Sequence, residues 1–239
     1  MDLHQFRHSA FCEKVRLILR VKGLQVAIHE VAPGLGQIEL FRLSGQRQVP
    51  VLVDGSRVIA DSTAIALHLE EAHPLPALLP ADAAARARVL LLEDWADTAL
   101  AAGARLALLQ ATANDPVLRG ALLPEATPAP LRSLVGGLPA GLLAPLGQAL
   151  GEVVGGEDAR QLRRNLEQLT ALVSRQPYLE GPGLTLADLA VVAQLSLLKF
   201  PASAGAPLAG RGVPGIADHP AFEPLFQWRD RVLQQIGVS

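Results

Sequence analysis

The sequence predicts a small α/β domain at the N-terminus and a larger all-helical domain after it. Three observations carry that expectation. Short runs rich in β-branched residues alternate with amphipathic helical stretches over the first ~70 residues. Strand signals then largely vanish behind a Pro-rich stretch, His73-Pro74-Leu75-Pro76 to Pro80. Beyond it Leu and Ala, both good helix formers, dominate.

The elements read in order as βαβαββα. Leu3-His4-Gln5-Phe6 make a short extended start. Over residues 11–21, Val15, Leu17, Ile18, Leu19 and Val21 alternate with Glu13, Lys14, Arg16 and Arg20, an amphipathic helix stopped by Gly23. Val26, Ile28 and Val31 alternate with polar neighbours as in a strand, and a short helix is expected over residues 36–43. Val51-Leu52-Val53 and Val58-Ile59 flank Asp54-Gly55, a hairpin signal. Asp61-Ser62-Thr63 opens a helix running to about His73. The expected division is residues 1–76, a linker over 77–85, and a helical domain over 86–239. Within the last, long helices are expected over residues 86–110, 158–175, 185–198 and 222–236, with Pro- and Gly-rich chain over 114–156.

Composition excludes several function classes. The chain has 239 residues, with 21 Lys+Arg against 23 Asp+Glu, so no basic footprint for nucleic acid or anionic lipid exists. One cysteine cannot close an internal disulfide or build a cysteine-rich zinc site, and the six histidines lack metal spacing. No metal is expected. His68 and His73 are expected at the surface. Asp2, His4 and Arg7 interrupt any apolar leader, so no signal peptide is expected. Residues 133–151 carry no charge, but Pro139, Pro145 and five glycines read as an irregular helical insert rather than a bilayer span.

Three local features bear chemistry. His8-Ser9-Ala10-Phe11-Cys12 lies where a strand hands over to a helix, whose N-terminus presents unpaired N–H groups and stabilises a thiolate. Ser9 suits a hydroxyl donor to a bound thiolate; Cys12 suits a thiol of lowered pKa. The plainer alternatives are a helix cap and a small buried hydrophobe. Gln48-Val49-Pro50-Val51 places proline at a strand start, a candidate cis bond that turns the Val49 N–H and C=O away from the ladder. Asp61-Ser62 either caps a helix or meets the ends of an amino-acid-like group.

Together these features resemble the cytosolic glutathione transferase superfamily, whose N-terminal domain is thioredoxin-like. The Ser-x-x-Cys turn, the Val-Pro before the third strand and the Asp-Ser pair opening the third helix stand at that family's landmarks. A fourth mark is Thr185-Leu186-Ala187-Asp188, similar to the family's capping box on a buried helix, with Leu184 placed to staple against Leu189. The resemblance is strong over residues 1–73 and 157–198 and thin over 112–156; it assigns no class.

The resemblance implies glutathione as co-substrate. Gln48, Val49 and Pro50 would hold its peptide, Asp61 and Ser62 its γ-glutamyl end, and Phe11 belongs to the same contact set. Ser9 would donate to the sulfur. Lowering a thiol pKa by about two units takes roughly 3 kcal/mol, within reach of a charge-assisted hydroxyl bond and a helix terminus. The thiolate would attack an apolar electrophile held near residues 86–109 and the uncharged insert, a detoxification chemistry. Two rival readings stay open: a glutathione-dependent thiol–disulfide oxidoreductase using Cys12, and a non-catalytic glutathione-binding or interaction protein. A cytoplasmic homodimer is implied by resemblance alone. Arg42 and Arg47 are candidate cations for the glycine carboxylate, Lys14 or Arg16 for the domain contact or the substrate cleft, and Asp94 or Asp97 either for a partner's glutathione or for a solvated acidic face.

Overall fold

The computed structural model describes residues 1–32, 35–123, 130 and 140–238. Its first part is a four-stranded sheet in the order β2-β1-β3-β4, built from β1 (Asp2–Gln5), β2 (Ala27–Glu30), β3 (Val51–Asp54) and β4 (Arg57–Ala60). β1 and β2 are parallel, joined through α1 (Ala10–Val21); β3 and β4 add antiparallel strands. This is the thioredoxin-like arrangement, with α2 (Leu35–Ser44) and α3 (Ser62–Ala72) completing it. Leu3, Leu52, Val15, Ile18 and Ile65 bury their side chains between sheet and helices, as their alternation and helical spacing require. β2 forms where the alternation predicts a strand, at the edge of the sheet, and all four of its residues are exposed, including Ile28.

The rest is helical. The single long helix expected over residues 86–110 is a longer rod in three pieces, α4 (Ala83–Trp95), a π-helical turn (Ala96–Leu100) and α5 (Ala101–Asn114). Periodicity does not register a π turn, which leaves the chain helical but adds a residue to one turn. A short α6 (Pro116–Ala121) follows, with Asp115 capping it and Pro116 in its first turn. α7 (Ala140–Val173) starts well before residue 158, since uncharged Ala- and Leu-rich chain is helical without showing a polar face. The first part of the uncharged stretch, residues 133–139, lies outside the described residues. No helix among the described residues is long and apolar enough to cross a membrane. Leu162, Leu166, Leu169 and Val173 are buried, whereas the neighbouring Leu172 is exposed.

α8 (Leu186–Leu198) buries every one of its residues, consistent with its lack of a polar face. Its start is tied by Asp188: Oδ2 accepts from the Thr185 N–H (2.8 Å) and the Thr185 hydroxyl (2.7 Å), and Oδ1 accepts from the Leu179 N–H (2.7 Å). Those bonds satisfy a carboxylate that burial otherwise penalises, pushing its pKa upward. α9 (Glu223–Gln235) follows a 3₁₀ turn at Pro220–Phe222 and inserts Trp228, whose indole N–H donates to the Pro177 carbonyl at 2.7 Å.

The Pro-rich connection is pinned rather than loose. Lys22 Nζ donates to the carbonyls of His73 (2.6 Å) and Pro76 (3.1 Å) and pairs with Glu70 at 2.8 Å. Glu70 in turn accepts from the Leu78 and Leu79 N–H groups at 2.9 and 3.1 Å. Leu78 and Leu79 are buried, so the segment is anchored by side chains as well.

Candidate active site

Sheet register gathers the predicted residues at one edge. Val51 pairs with His4 and with Ala60, so the start of β3 lies between the end of β1 and the end of β4. The Phe6–Ser9 turn, Gln48-Val49-Pro50 and Asp61-Ser62 therefore emerge at the same end of the sheet. The Val49–Pro50 bond is cis. Gln48 is exposed, and the Val49 N–H and C=O make no hydrogen bond among the described residues.

Ser9 caps α1. Its Oγ accepts a long bond from the Cys12 N–H at 3.4 Å, and the side chain is half-buried at a cavity wall. Cys12 is fully buried, and burial pushes its thiol pKa up, against the opposing hydrogen bonds from the Phe6 backbone and Ser9. A helix N-terminus thus fails to activate this thiol because the side chain points into the core.

Asp61 is the one non-glycine at positive φ (81°) among the described residues, a conformation costing about 1–3 kcal/mol and met most often at functional positions. Its Oδ1 accepts from the Thr63 and Ala64 N–H groups at 2.9 and 3.0 Å, while Oδ2 has no hydrogen-bond partner among the described residues. Ser62 is buried instead, its hydroxyl donating to Asp97 at 3.2 Å.

Asp97 belongs to a buried cluster joining the two parts of the fold. Lys14 of α1, with no exposure, pairs with Glu93 at 2.5 Å and with Asp97, and donates to Thr63 at 3.2 Å. Thr63 also donates to Glu93 at 2.6 Å. Lys14 is thus the cation at the contact between the parts. Asp97 faces its own chain's lysine rather than solvent, while Asp94 is exposed. Arg16 points elsewhere, to Gln5 at 2.5 Å and to Glu13. Arg42 and Arg47 are exposed, Arg47 lying over the Phe41 ring. His68, expected at the surface, pairs with Asp54 at 2.9 Å and is mostly covered, because α3 packs along the hairpin.

Two cavities flank the Ser9 turn. One, of about 360 Å³, has charged walls whose groups already satisfy each other: Arg16 with Glu13 and Gln5, Glu30 with Gln5 and the Arg7 N–H. The other, of about 370 Å³, runs from Ser9 and Phe11 to Leu108, Leu109 and Leu122. Arg105 stands in its wall, its guanidinium 5.3 Å from the centre of the Phe11 ring. Arg105 lies within the stretch expected to hold the electrophile, and its one sequence signal is that it is the lone charge in Ala101–Asn114. Neither cavity is lined by Gln48, Val49, Pro50, Asp61 or Ser62. No cluster of metal-ligating side chains occurs among the described residues.

The protein is of the class that joins a thioredoxin-like sheet, with a polar turn at a helix N-terminus, to a helical part. Residues 3–77 match the family model for the glutathione S-transferase N-terminal domain. This segment is similar to that domain, and over its whole length the chain has the fold seen in solved glutathione S-transferases. The maleylpyruvate isomerase of Ralstonia sp is 40% identical over 97 residues, 38% of this chain and 45% of that protein. Glutathione S-transferase 1 of Dianthus caryophyllus is 41% identical over 90 residues, 36% of this chain and 41% of that protein. The matched region thus spans less than half the length of these relatives. Among solved structures, the beta-etherase LigF from Sphingobium sp. strain SYK-6 is similar at 22% identity with a TM-score of 0.70, over 98% of this chain and 97% of that one. Human glutathione S-transferase T1-1 is similar at 22% identity with a TM-score of 0.64, over 99% and 84%. At that identity the likeness concerns the fold.

Proposed function

We propose that this protein is a glutathione transferase in which Ser9 assists ionisation of the glutathione thiol for attack on an apolar electrophile. The observation that carries the reading is the Ser9 hydroxyl, set at the α1 N-terminus in the wall of a largely apolar cavity. The neighbouring groups fit the co-substrate. The unused Val49 peptide groups suit an extended peptide, with Gln48 and Pro50 beside them, and the free Asp61 oxygen suits the γ-glutamyl ammonium. Ser62 would reach the same end only by sharing its hydroxyl with Asp97.

In this reaction the thiol proton leaves to solvent and the Ser9 hydroxyl donates to the sulfur. The sulfur pair forms a C–S bond, and the leaving group departs with its electrons or, in an addition, the carbanion is protonated. Division into residues 1–76 and 86–239, a cytoplasmic location and a homodimer belong to the same proposal. The buried, raised-pKa Cys12 disfavours the oxidoreductase alternative.

The test is conjugation of glutathione to a chloronitrobenzene by wild type, Ser9→Ala and Cys12→Ala. Ser9→Ala should lower kcat/KM about 100-fold or more, by loss of one thiolate-stabilising donor, and move the pH profile of the rate upward. Cys12→Ala should stay within a few-fold of wild type. Loss with Cys12→Ala alone, together with disulfide reductase activity surviving in Ser9→Ala, overturns the reading.

A further inference from the structure

The cavity beside Ser9 is walled by a stripe at helical spacing: Arg105, Leu108, Leu109 and Thr112 project from one side of α5. Apart from Arg105 and the His8 ring, its described lining carries no ionisable side chain, and no carboxylate belongs to it. Arg105 has no salt-bridge partner among the described residues, whereas Lys14 and Arg16 of the neighbouring helix α1 each have one.

The head of Arg105 is nonetheless held in place. Its plane-facing contact is the Phe11 ring, 5.3 Å from centroid to guanidinium carbon, and its Nε donates to the Ala101 carbonyl at 3.2 Å. Those two contacts leave the terminal nitrogens, with the fork that matches a carboxylate in two parallel bonds, without a hydrogen-bond partner among the described residues. Phe11 follows Ser9 in the same turn, so the guanidinium is fixed relative to the hydroxyl proposed to meet the sulfur. An exposed but oriented cation at the mouth of an apolar cavity of this size is an arrangement for a ligand with an apolar body and one anionic end.

We propose that Arg105 determines specificity for the second substrate, selecting an apolar or aromatic electrophile that bears a carboxylate away from its reacting carbon. This rests on the transferase reading of the site and narrows it. The apolar wall takes the body of the substrate, and the guanidinium on Phe11 takes the carboxylate, which orients the electrophilic carbon toward the turn.

The experiment uses a pair matched in shape, 4-chloro-3-nitrobenzoate and 4-chloro-3-nitrobenzamide, with the full chain as wild type, Arg105→Gln and Arg105→Lys. Steady-state KM and kcat are measured with saturating glutathione, and direct binding of each compound without turnover is measured by calorimetry. Arg105→Gln should raise the benzoate KM about tenfold more than the benzamide KM, the size of one charge-assisted contact, with kcat changing little. Arg105→Lys should restore part of that preference, because it keeps the charge and loses the fork. Equal effects on both compounds would assign Arg105 a packing role on Phe11 and overturn the proposal, as would no effect on either. If neither compound is turned over yet the benzoate binds better through Arg105, the transferase reading fails and the carboxylate site stands. If both are turned over with no Arg105-dependent difference, the reverse holds.

Discussion

Replacing Lys14 by methionine probes the buried cluster that joins the α/β part to the helical part. The ammonium is fully covered; Glu93 and Asp97 keep 2% and 13% exposure of their side chains. In water an ion pair of this kind would contribute little, but here both partners have already lost their solvation. Lys14→Met preserves volume and leaves two carboxylates facing each other across the contact. Only the Thr63 and Ser62 hydroxyls would still stabilise them. Removing one partner of a buried ion pair costs about 3–5 kcal/mol, and for a chain of this length each kcal/mol moves the melting midpoint by about 2–4 °C. The midpoint should therefore fall by roughly 10 °C in scanning calorimetry at neutral pH. Glu93→Gln added to Lys14→Met should recover part of the deficit. A loss below about 1 kcal/mol, or no recovery in the double variant, would refute the claim that this cluster is a desolvated ion network.

Two further outcomes follow from the same reasoning. Burial holds the Cys12 thiol protonated in the folded state while the unfolded thiol ionises near its ordinary value, so stability should be intact below that value and decline as pH rises past about 9; Cys12→Ala should remove that alkaline component in denaturant titrations. Glu70→Ala should lose the acceptor for two N–H groups and the partner of Lys22, costing about 3 kcal/mol and making residues 74–82 sensitive to limited proteolysis; unchanged cleavage would show that the buried Leu78 and Leu79 hold the segment unaided.

Local chemistry made much of this protein legible in advance. Helix α1 was readable from its spacing and its stop at Gly23, the hairpin from Asp54-Gly55, and the start of α8 from Thr185 and Asp188, because caps and turns are decided within a few residues. The cis bond at Val49–Pro50 and the capping role of Asp61 belong to the same kind, being properties of short segments. Ser62 was read as part of an open site, and only the approach of Asp97, 35 residues further on, explains why its hydroxyl is engaged instead. The covering of the His68 ring and the exposure of Ile28 in β2 have the same cause, because both depend on what packs alongside.

What the sequence determined by itself is the order of elements and the position of the one thiol in the first turn of α1. These follow from propensity, periodicity and capping, which act over a turn of helix or a pair of strands. What tertiary structure alone decided is the chemistry open to each side chain. It turned Cys12 into the core, enclosed Lys14 between two carboxylates, and stood Arg105 on Phe11 at the mouth of an apolar cavity. Those outcomes depend on desolvation and on charges brought together from distant segments, and neither is encoded in local spacing.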